Sequence, residues 1–219
     1  ISDGVVSARY AKCHLPNYGV FDEFRNFVPG DKTLVVRIHG VDVGIAICED
    51  LWIDGGITSQ LAARKPGLVI VPNGSPYERN KDDVRLALVS KRARQASAPL
   101  VYVNMTGGQD DLVFDGDSIV VGKDGSVLAR TAQFDDQLIV VDIECAEGSS
   151  RPDVVISEEQ TSHADSAAPA VATRLSNEAE MWQGLVMGLR DYVGKNGFKS
   201  VVLGLSGGID SALVAAIAI

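Results

Sequence analysis

Gly44-Ile45-Ala46-Ile47-Cys48-Glu49-Asp50-Leu51-Trp52 is the stretch whose reading decides the fold. The apolar run Val41, Val43, Ile45, Ala46 and Ile47 predicts a strand entering a core. It stops on a thiol and two carboxylates, and Asp54-Gly55-Gly56 then breaks the chain. A cysteine at a strand end, where the backbone turns sharply, is placed to present a nucleophile. A free cysteine is otherwise ordinary core filling. The segments on either side decide between the two.

Upstream, Thr33–Ile38 and Val41–Ile47 read as an antiparallel hairpin turning at His39-Gly40-Val41-Asp42. Downstream, a short helix is expected over residues 57–65. Leu68-Val69-Ile70-Val71-Pro72 follows, a run that suits a strand covered on both faces. It ends in the turn cluster Asn73-Gly74-Ser75-Pro76-Tyr77. Two buried strands that end in polar turns can bring side chains to one site. The spacing then predicts a helix over 80–97, its buried face carrying Val84, Leu86, Leu88, Val89 and Ala93. Strands are expected at Leu100–Met105, Val113–Val121, Ser126–Arg130 and Leu138–Asp142, with turns at Gly107–Asp111 and Gly122–Gly125.

Lys12 opens a loop marked by Pro16, Asn17 and Gly19. A lysine there is a solvated charge unless it has a partner, and Cys48 is the candidate. Glu23 and Arg25 fit a polar rim; Phe21, Phe24 and Phe27 are expected to pack under the loop. His14, His39 and His163 read as surface residues.

Residues 145–175 lose all period and read as a linker. A helix starts at the N-cap Ser176, with Met181, Trp182, Leu185, Val186, Leu189, Tyr192 and Val193 as core positions, and Gly194 and Gly197 end it. Ser200–Leu205 reads as a buried strand running into Ser206-Gly207-Gly208-Ile209-Asp210-Ser211 and the helix Ala212–Ile219. Strand, glycine loop and helix form a phosphate cradle: glycines let backbone N–H groups approach the anion, and the helix start adds partial positive charge. An ordinary tight turn would explain the glycines alone, but not the two serines and the aspartate with both flanking elements.

The net charge of −9 over 219 residues leaves no global field for nucleic acid. Cys13, Cys48 and Cys145 are odd in number and widely spaced, neither a disulfide framework nor a zinc pattern, which points to a reducing cytoplasm. No apolar run reaches a membrane span and no signal peptide is visible. The chain opens on Ile1 and ends at Ile219 inside an apolar helical pattern, which reads as a fragment cut at both ends.

Lys12 followed by Cys48-Glu49-Asp50 resembles the nitrilase superfamily, whose Glu–Lys–Cys triad cleaves amides or nitriles through a thioester. Gly204-Leu205-Ser206-Gly207-Gly208-Ile209-Asp210-Ser211 resembles the pyrophosphate loop of the N-type ATP pyrophosphatases. In this order the pair resembles the glutamine-dependent NAD(+) synthetases, as do the strings 15–23 and 73–77. The resemblance implies an α/β chain: part of a nitrilase-like α-β-β-α sandwich over 1–144, incomplete at its N-terminus, a linker over 145–175, and the start of a Rossmann-like ATP pyrophosphatase domain over 176–219. It makes Cys48 the nucleophile and Lys12 the cation of the triad. It puts Tyr18, Ser75 and Lys81 on glutamine, Glu23 as an accessory glutamate, and the ATP phosphates on Gly204 to Ser211. It further implies deamido-NAD and ATP with Mg²⁺ as substrates, no prosthetic group, no protein metal site, no nucleic acid or membrane partner, and a homo-oligomer. One departure stands out. The family's general-base glutamate precedes the lysine, yet the acidic residue before Lys12 is Asp3, so the fragment alone is expected to be inactive. Three rivals stay open: a stand-alone amidase or carbamoylase, another amidotransferase using the same loop, and a degenerate interaction module.

Overall fold

The computed structural model describes residues 1–159 and 170–219; His163 lies outside the described residues. In chain order the elements are α1 (Glu23–Asn26), β1 (Leu34–Ile38), β2 (Val41–Ile45), α2 (Ile57–Ala63), β3 (Leu68–Asn73), α3 (Lys81–Ala96), β4 (Leu100–Asn104), β5 (Thr106–Gln109), β6 (Leu112–Asp115), β7 (Ile119–Val121), β8 (Val127–Arg130), β9 (Val154–Val155), α4 (Asn177–Lys195) and α5 (Ile209–Ile217). Seven strands form one mixed sheet in the order β8-β7-β4-β3-β2-β1-β9, and β5 and β6 form a separate hairpin. The centre is parallel: β2 pairs with β3, and β3 with β4. The expected antiparallel β1–β2 hairpin is present, with Leu34 opposite Ile45 and Ile38 opposite Val41.

Alternation along the central strands builds the core. Val69 and Val71 of β3, Leu100 and Tyr102 of β4, and Ile119 and Val121 of β7 point to one face, where Leu61 of α2 and Val89 and Ala93 of α3 cover them. On the other face Ile70 and Val101 are half-buried and Val103 is exposed, so β3 is fully covered on one side only. A mean-sized apolar run fits a one-sided strand as well as a two-sided one.

Several expectations are corrected. Val113–Val121 is two strands, because Gly116 and Asp117 both take left-handed backbone (φ +68° and +53°) and split it. Gly107–Gln109 belongs to β5, not to a turn. Asp42 is not a turn residue but lies fully buried in β2, held by Arg37 (2.8 Å) and by the Ser150 hydroxyl (2.8 Å). Leu138–Asp142 forms no strand, and Leu138 is exposed; the edge beside β1 is taken instead by β9, inside the stretch read as linker. The other end of that stretch also docks. Arg130 exchanges backbone hydrogen bonds with Ala170 and Ala172 at 3.0 Å each. Phe24 and Phe27 are exposed rather than packed under their loop.

The two long helices bury other faces than their apolar spacing predicts. In α3 Val84 is exposed, while Asp82, Arg85, Val89, Arg92 and Ala93 face inward. In α4, capped by Ser176 as expected, the buried residues are Glu180, Gly184 and Met187, whereas Met181, Trp182, Leu185 and Tyr192 stay substantially exposed. Small residues allow α4 to dock. A Cβ on Gly108 would stand 3.1 Å from the Asp191 Cβ and 3.3 Å from the Gly188 Cα, so helix and strand β5 meet nearly backbone to backbone. Asp191 accepts from the Gly108 N–H at 2.7 Å and Lys195 donates to the Gly108 carbonyl. Ser200–Leu205 is exposed and unpaired among the described residues, not a buried strand, and α5 buries no residue.

Charges inside α3 fix the loop after β3. Arg85 is fully buried, holds Asp115 through two bonds of 2.7 and 2.8 Å, and donates to the carbonyls of Ser75 (3.4 Å) and Pro76 (3.2 Å). Replacing one member of such a pair strands the other charge. Arg85→Met is therefore expected to lower unfolding free energy by about 3–5 kcal/mol, and Arg85→Met with Asp115→Leu by clearly less. Urea unfolding of the three proteins checks this ordering.

Candidate active site

The parallel strands β2 and β3 end side by side, and the crevice beyond their carboxyl ends is where an open α/β sheet places ligands. After β2, Ile47 is still extended, and Cys48 then adopts left-handed backbone at φ +46°. That conformation is costly for a non-glycine residue, about 1–3 kcal/mol, and such residues gather at functional sites. Cys48–Leu51 continues as one tight helical turn. The thiol is thereby thrust out of the strand line into the crevice, as the sequence reading expects.

Three walls face the thiol. The Lys12 loop forms the first: Lys12 is half-buried, and its ammonium donates to both oxygens of Glu23 at 2.8 and 2.6 Å. The loop after β3 forms the second, where the Gly74 N–H lies close enough to the sulfur to favour the thiolate. Asn104 of β4 holds that loop through Ser75, accepting from its N–H at 2.9 Å and donating to its carbonyl at 3.2 Å. Ser75 is buried beside Tyr102. Tyr18 forms the third wall, its hydroxyl donating to both oxygens of Glu49 at 3.0 and 2.9 Å. Lys81, at the first turn of α3, pairs with Glu78, which also lies close enough to act on the Tyr18 hydroxyl.

Burial pushes the Cys48 thiol above its ordinary value; Lys12 and the Gly74 N–H pull it down, and Glu49 and Glu23 push it up again. Burial and the Glu49 carboxylate raise the Tyr18 phenol to about 12, so it is a donor at every physiological pH. The net direction for the thiol is upward, with burial the largest cause. The thiol lies within reach of a cation and a backbone donor, the two kinds of group that stabilise a thiolate and a developing oxyanion.

Residues 1–152 match the carbon-nitrogen hydrolase family. This chain belongs to that family. Residues 181–219 also match the NAD synthase family. Among curated proteins it is 46% identical over 221 residues to the glutamine-dependent NAD(+) synthetase of Xanthomonas campestris pv. campestris, covering all of this chain and 37% of the relative. Among solved structures it is similar to the glutamine-dependent NAD+ synthetase of Acinetobacter baumannii in complex with adenosine diphosphate: TM-score 0.84, 39% identity, all of this chain and 38% of that one. A mutant amidase of Nesterenkonia sp. AN1, showing covalent addition of the acetamide moiety of fluoroacetamide at its active site cysteine, superposes on 56% of this chain and 45% of its own, at TM-score 0.50 and 32% identity. The chain thus spans about two fifths of the length of the synthetases it matches.

Of the residues singled out in the sequence, the structure brings Lys12, Glu23, Cys48, Tyr18 and Ser75 to one crevice. His14 is not a free surface residue, because its ring nitrogen meets Asp50 at 3.2 Å. Sequence reasoning gave no role to Glu49 and Asp50, although both stand in the decisive stretch, nor to Tyr10, Asn104 and Arg85, which carry no local signal. The 206–211 loop is a separate feature. Gly207 takes φ +85°, the Ser206 N–H donates to the Ser211 Oγ at 3.2 Å, and the two hydroxyls stand 3.1 Å apart at the start of α5. Among the described residues no hydrogen bond or ion pair ties it to the thiol crevice, and no group of three or more metal-ligating side chains occurs.

Removing Lys12 removes one lowering influence and leaves Glu23 unpaired, so both changes raise the Cys48 thiol. Lys12→Met should move the pH midpoint of Cys48 alkylation by iodoacetamide upward, read peptide by peptide in a mass spectrometer. A midpoint that stays in place would break the link between the two side chains.

Proposed function

We propose that this chain carries the amidase site and the opening of the ATP site of a glutamine-dependent NAD(+) synthetase. The observation that carries the reading is the coexistence, in one chain, of a buried thiol facing a lysine–glutamate pair and a serine–glycine loop opening a helix. The two family matches fall on these two features in that order. The proposed division is a glutaminase part over 1–144, a linker over 145–175 and the synthetase start over 176–219.

In the first half-reaction the general-base glutamate that the resemblance places ahead of Lys12, outside this chain, would take the Cys48 proton and pass it to the leaving nitrogen, while the thiolate attacks the carboxamide carbon of glutamine. The C–N bond breaks, ammonia leaves with the thiol proton, and a glutamyl thioester forms. Water then cleaves the thioester to glutamate and regenerates the thiol. Lys12 faces the developing oxyanion, with Glu23 fixing its ammonium. Glu49 has no cation partner among the described residues, and its carboxylate, capped by Tyr18, is a seat for the α-ammonium of an amino-acid amide. Ser75 and Lys81 complete the glutamine pocket.

In the second half-reaction the nicotinate carboxylate of deamido-NAD attacks the α-phosphorus of ATP, pyrophosphate leaves, and ammonia displaces AMP to give NAD. Gly204, Leu205, Ser206, Gly207, Gly208, Ile209, Asp210 and Ser211 form the phosphate loop. The loop fits an anion: Gly204 and Gly207 have open space where a Cβ would stand, and the hydroxyls of Ser206 and Ser211 lie at a helix start. Mg²⁺ would arrive on the ATP phosphates and neutralise their charge, with Asp210 the carboxylate in the loop to meet it. No described helix is long and apolar enough to cross a membrane; a cytoplasmic homo-oligomer completes the proposal.

The test uses the complete gene product. NAD formation from deamido-NAD and ATP should proceed with glutamine or with ammonium, and Cys48→Ala should abolish the first while leaving the second within about twofold. Amide hydrolysis without any NAD formation from either nitrogen source would return the protein to the stand-alone amidases.

A further inference from the structure

Asp50 has no part in the chemistry above, yet it is the most densely hydrogen-bonded side chain near the thiol. Its carboxylate is fully buried. Oδ1 accepts from the backbone N–H of Cys13 (3.0 Å), from that of His14 (2.8 Å) and from the His14 ring (3.2 Å). Oδ2 accepts from the Tyr10 hydroxyl (2.7 Å) and the Ile47 N–H (3.0 Å). These donors fall into two groups. Tyr10, Cys13 and His14 bracket Lys12; Ile47 precedes Cys48. One carboxylate thus joins two loops that are distant in sequence, and no strand pairing joins them. Among the described residues its one ion-pair partner is His14. A buried carboxylate this well supplied with donors, with neither Lys nor Arg beside it, uses its acceptors to fix backbone.

From this geometry we infer that Asp50 is a positioning residue that sets the distance between the Lys12 ammonium and the Cys48 thiol. Among its hydrogen bonds none goes to the Cys48 sulfur. Asp50 acts through Lys12, whose loop otherwise has one backbone anchor near that point, the Gly30 N–H on the Lys12 carbonyl at 2.8 Å. The inference rests on reading Cys48 as the nucleophile. The charged and titratable groups facing Cys48 are Lys12, Glu23 and Glu49, with the Tyr18 and Tyr102 phenols nearby.

Asp50→Asn tests it, because an amide cannot serve this site in either orientation. Its NH₂ faces the donors of Cys13 and His14 in one, and those of Tyr10 and Ile47 in the other. The parent chain, Lys12→Met, Asp50→Asn and the double variant are alkylated with iodoacetamide across a pH series. Modification of the Cys48 peptide is followed by mass spectrometry, with the Cys145 peptide as internal reference and circular dichroism as the check of folding. Asp50→Asn should raise the Cys48 midpoint in the same direction as Lys12→Met, a shift of one unit corresponding to about tenfold slower alkylation below the midpoint. Added to Lys12→Met it should change the midpoint no further, since its effect passes through Lys12. An equal shift in both backgrounds, or none in a folded single variant, overturns the inference. If Asp50→Asn does not fold, Tyr10→Phe removes one donor at nearly constant volume. It should give a smaller shift of the same sign that Lys12→Met again abolishes, and a shift that persists there overturns the inference equally. If Lys12→Met itself moves nothing, the pairing of lysine and thiol fails, and that outcome is read separately from the role of Asp50.

Discussion

A guanidinium with no exposed surface holds the crevice open. Arg85 lies under the loop that follows β3, and burial would pull its proton affinity down, but the two bonds and the charge of Asp115 more than offset that loss. The same guanidinium also donates to the carbonyls of Ser75 and Pro76, and the Ser75 carbonyl takes a second bond from the Asn104 amide. The loop therefore keeps its carbonyls on the inside and turns the Gly74 N–H outward to the thiol. Around Arg85 the pattern repeats: Arg130 holds Asp117 at 2.5 and 2.8 Å, and Asp82 meets Arg130 at 3.8 Å and pairs with Arg174. These pairs join α3, the Gly116–Asp117 break and β8 to the segment entering α4. Burial of this kind adds little net stability over an apolar core, but removing one partner leaves the other charge uncompensated.

Asp50 does on the other wall, with negative charge, what Arg85 does with positive charge. Between the two, a thiol on left-handed backbone is fixed from both sides. The strain at Cys48 is tolerable because its neighbours are over-determined: Ile47 and Asp50 close on one another, and the Arg92 side chain donates to the Leu51 carbonyl at 2.6 Å.

The sequence was legible where one rule governed a segment. The β1–β2 hairpin, the β3 run and its turn cluster, the Ser176 cap and the thiol at a strand end all follow from local pattern. The errors share a cause. Leu138–Asp142 and Ser200–Leu205 are apolar enough for strands, but a strand exists only where a partner edge is available, and β9 took the edge beside β1. The faces of α3 and α4 were misjudged because paired charges were buried in place of apolar residues, and because glycine lets α4 approach β5 with no side chain between. Spacing rules see neither effect. Of the site, the thiol, the lysine and the 73–77 loop could be read from sequence; Tyr10, Asn104 and Arg85 could not, since their partners lie tens of residues away.

The electrostatics of the crevice set a condition on its chemistry. Lys12 is already held by Glu23, and Glu49 stands next to the Cys48 thiol, so two carboxylates oppose the one cation that favours the thiolate. Burial adds to the same side of the balance. Each of these influences raises the cost of the thiolate, which is the reactive form of a cysteine. On the proposed reading, activation requires the proton to leave as attack begins, or a cation to settle on Glu49 and cancel one of the charges opposing the thiolate. On the same reading an amino-acid amide would bring that cation with it, tying reactivity to occupancy of the site.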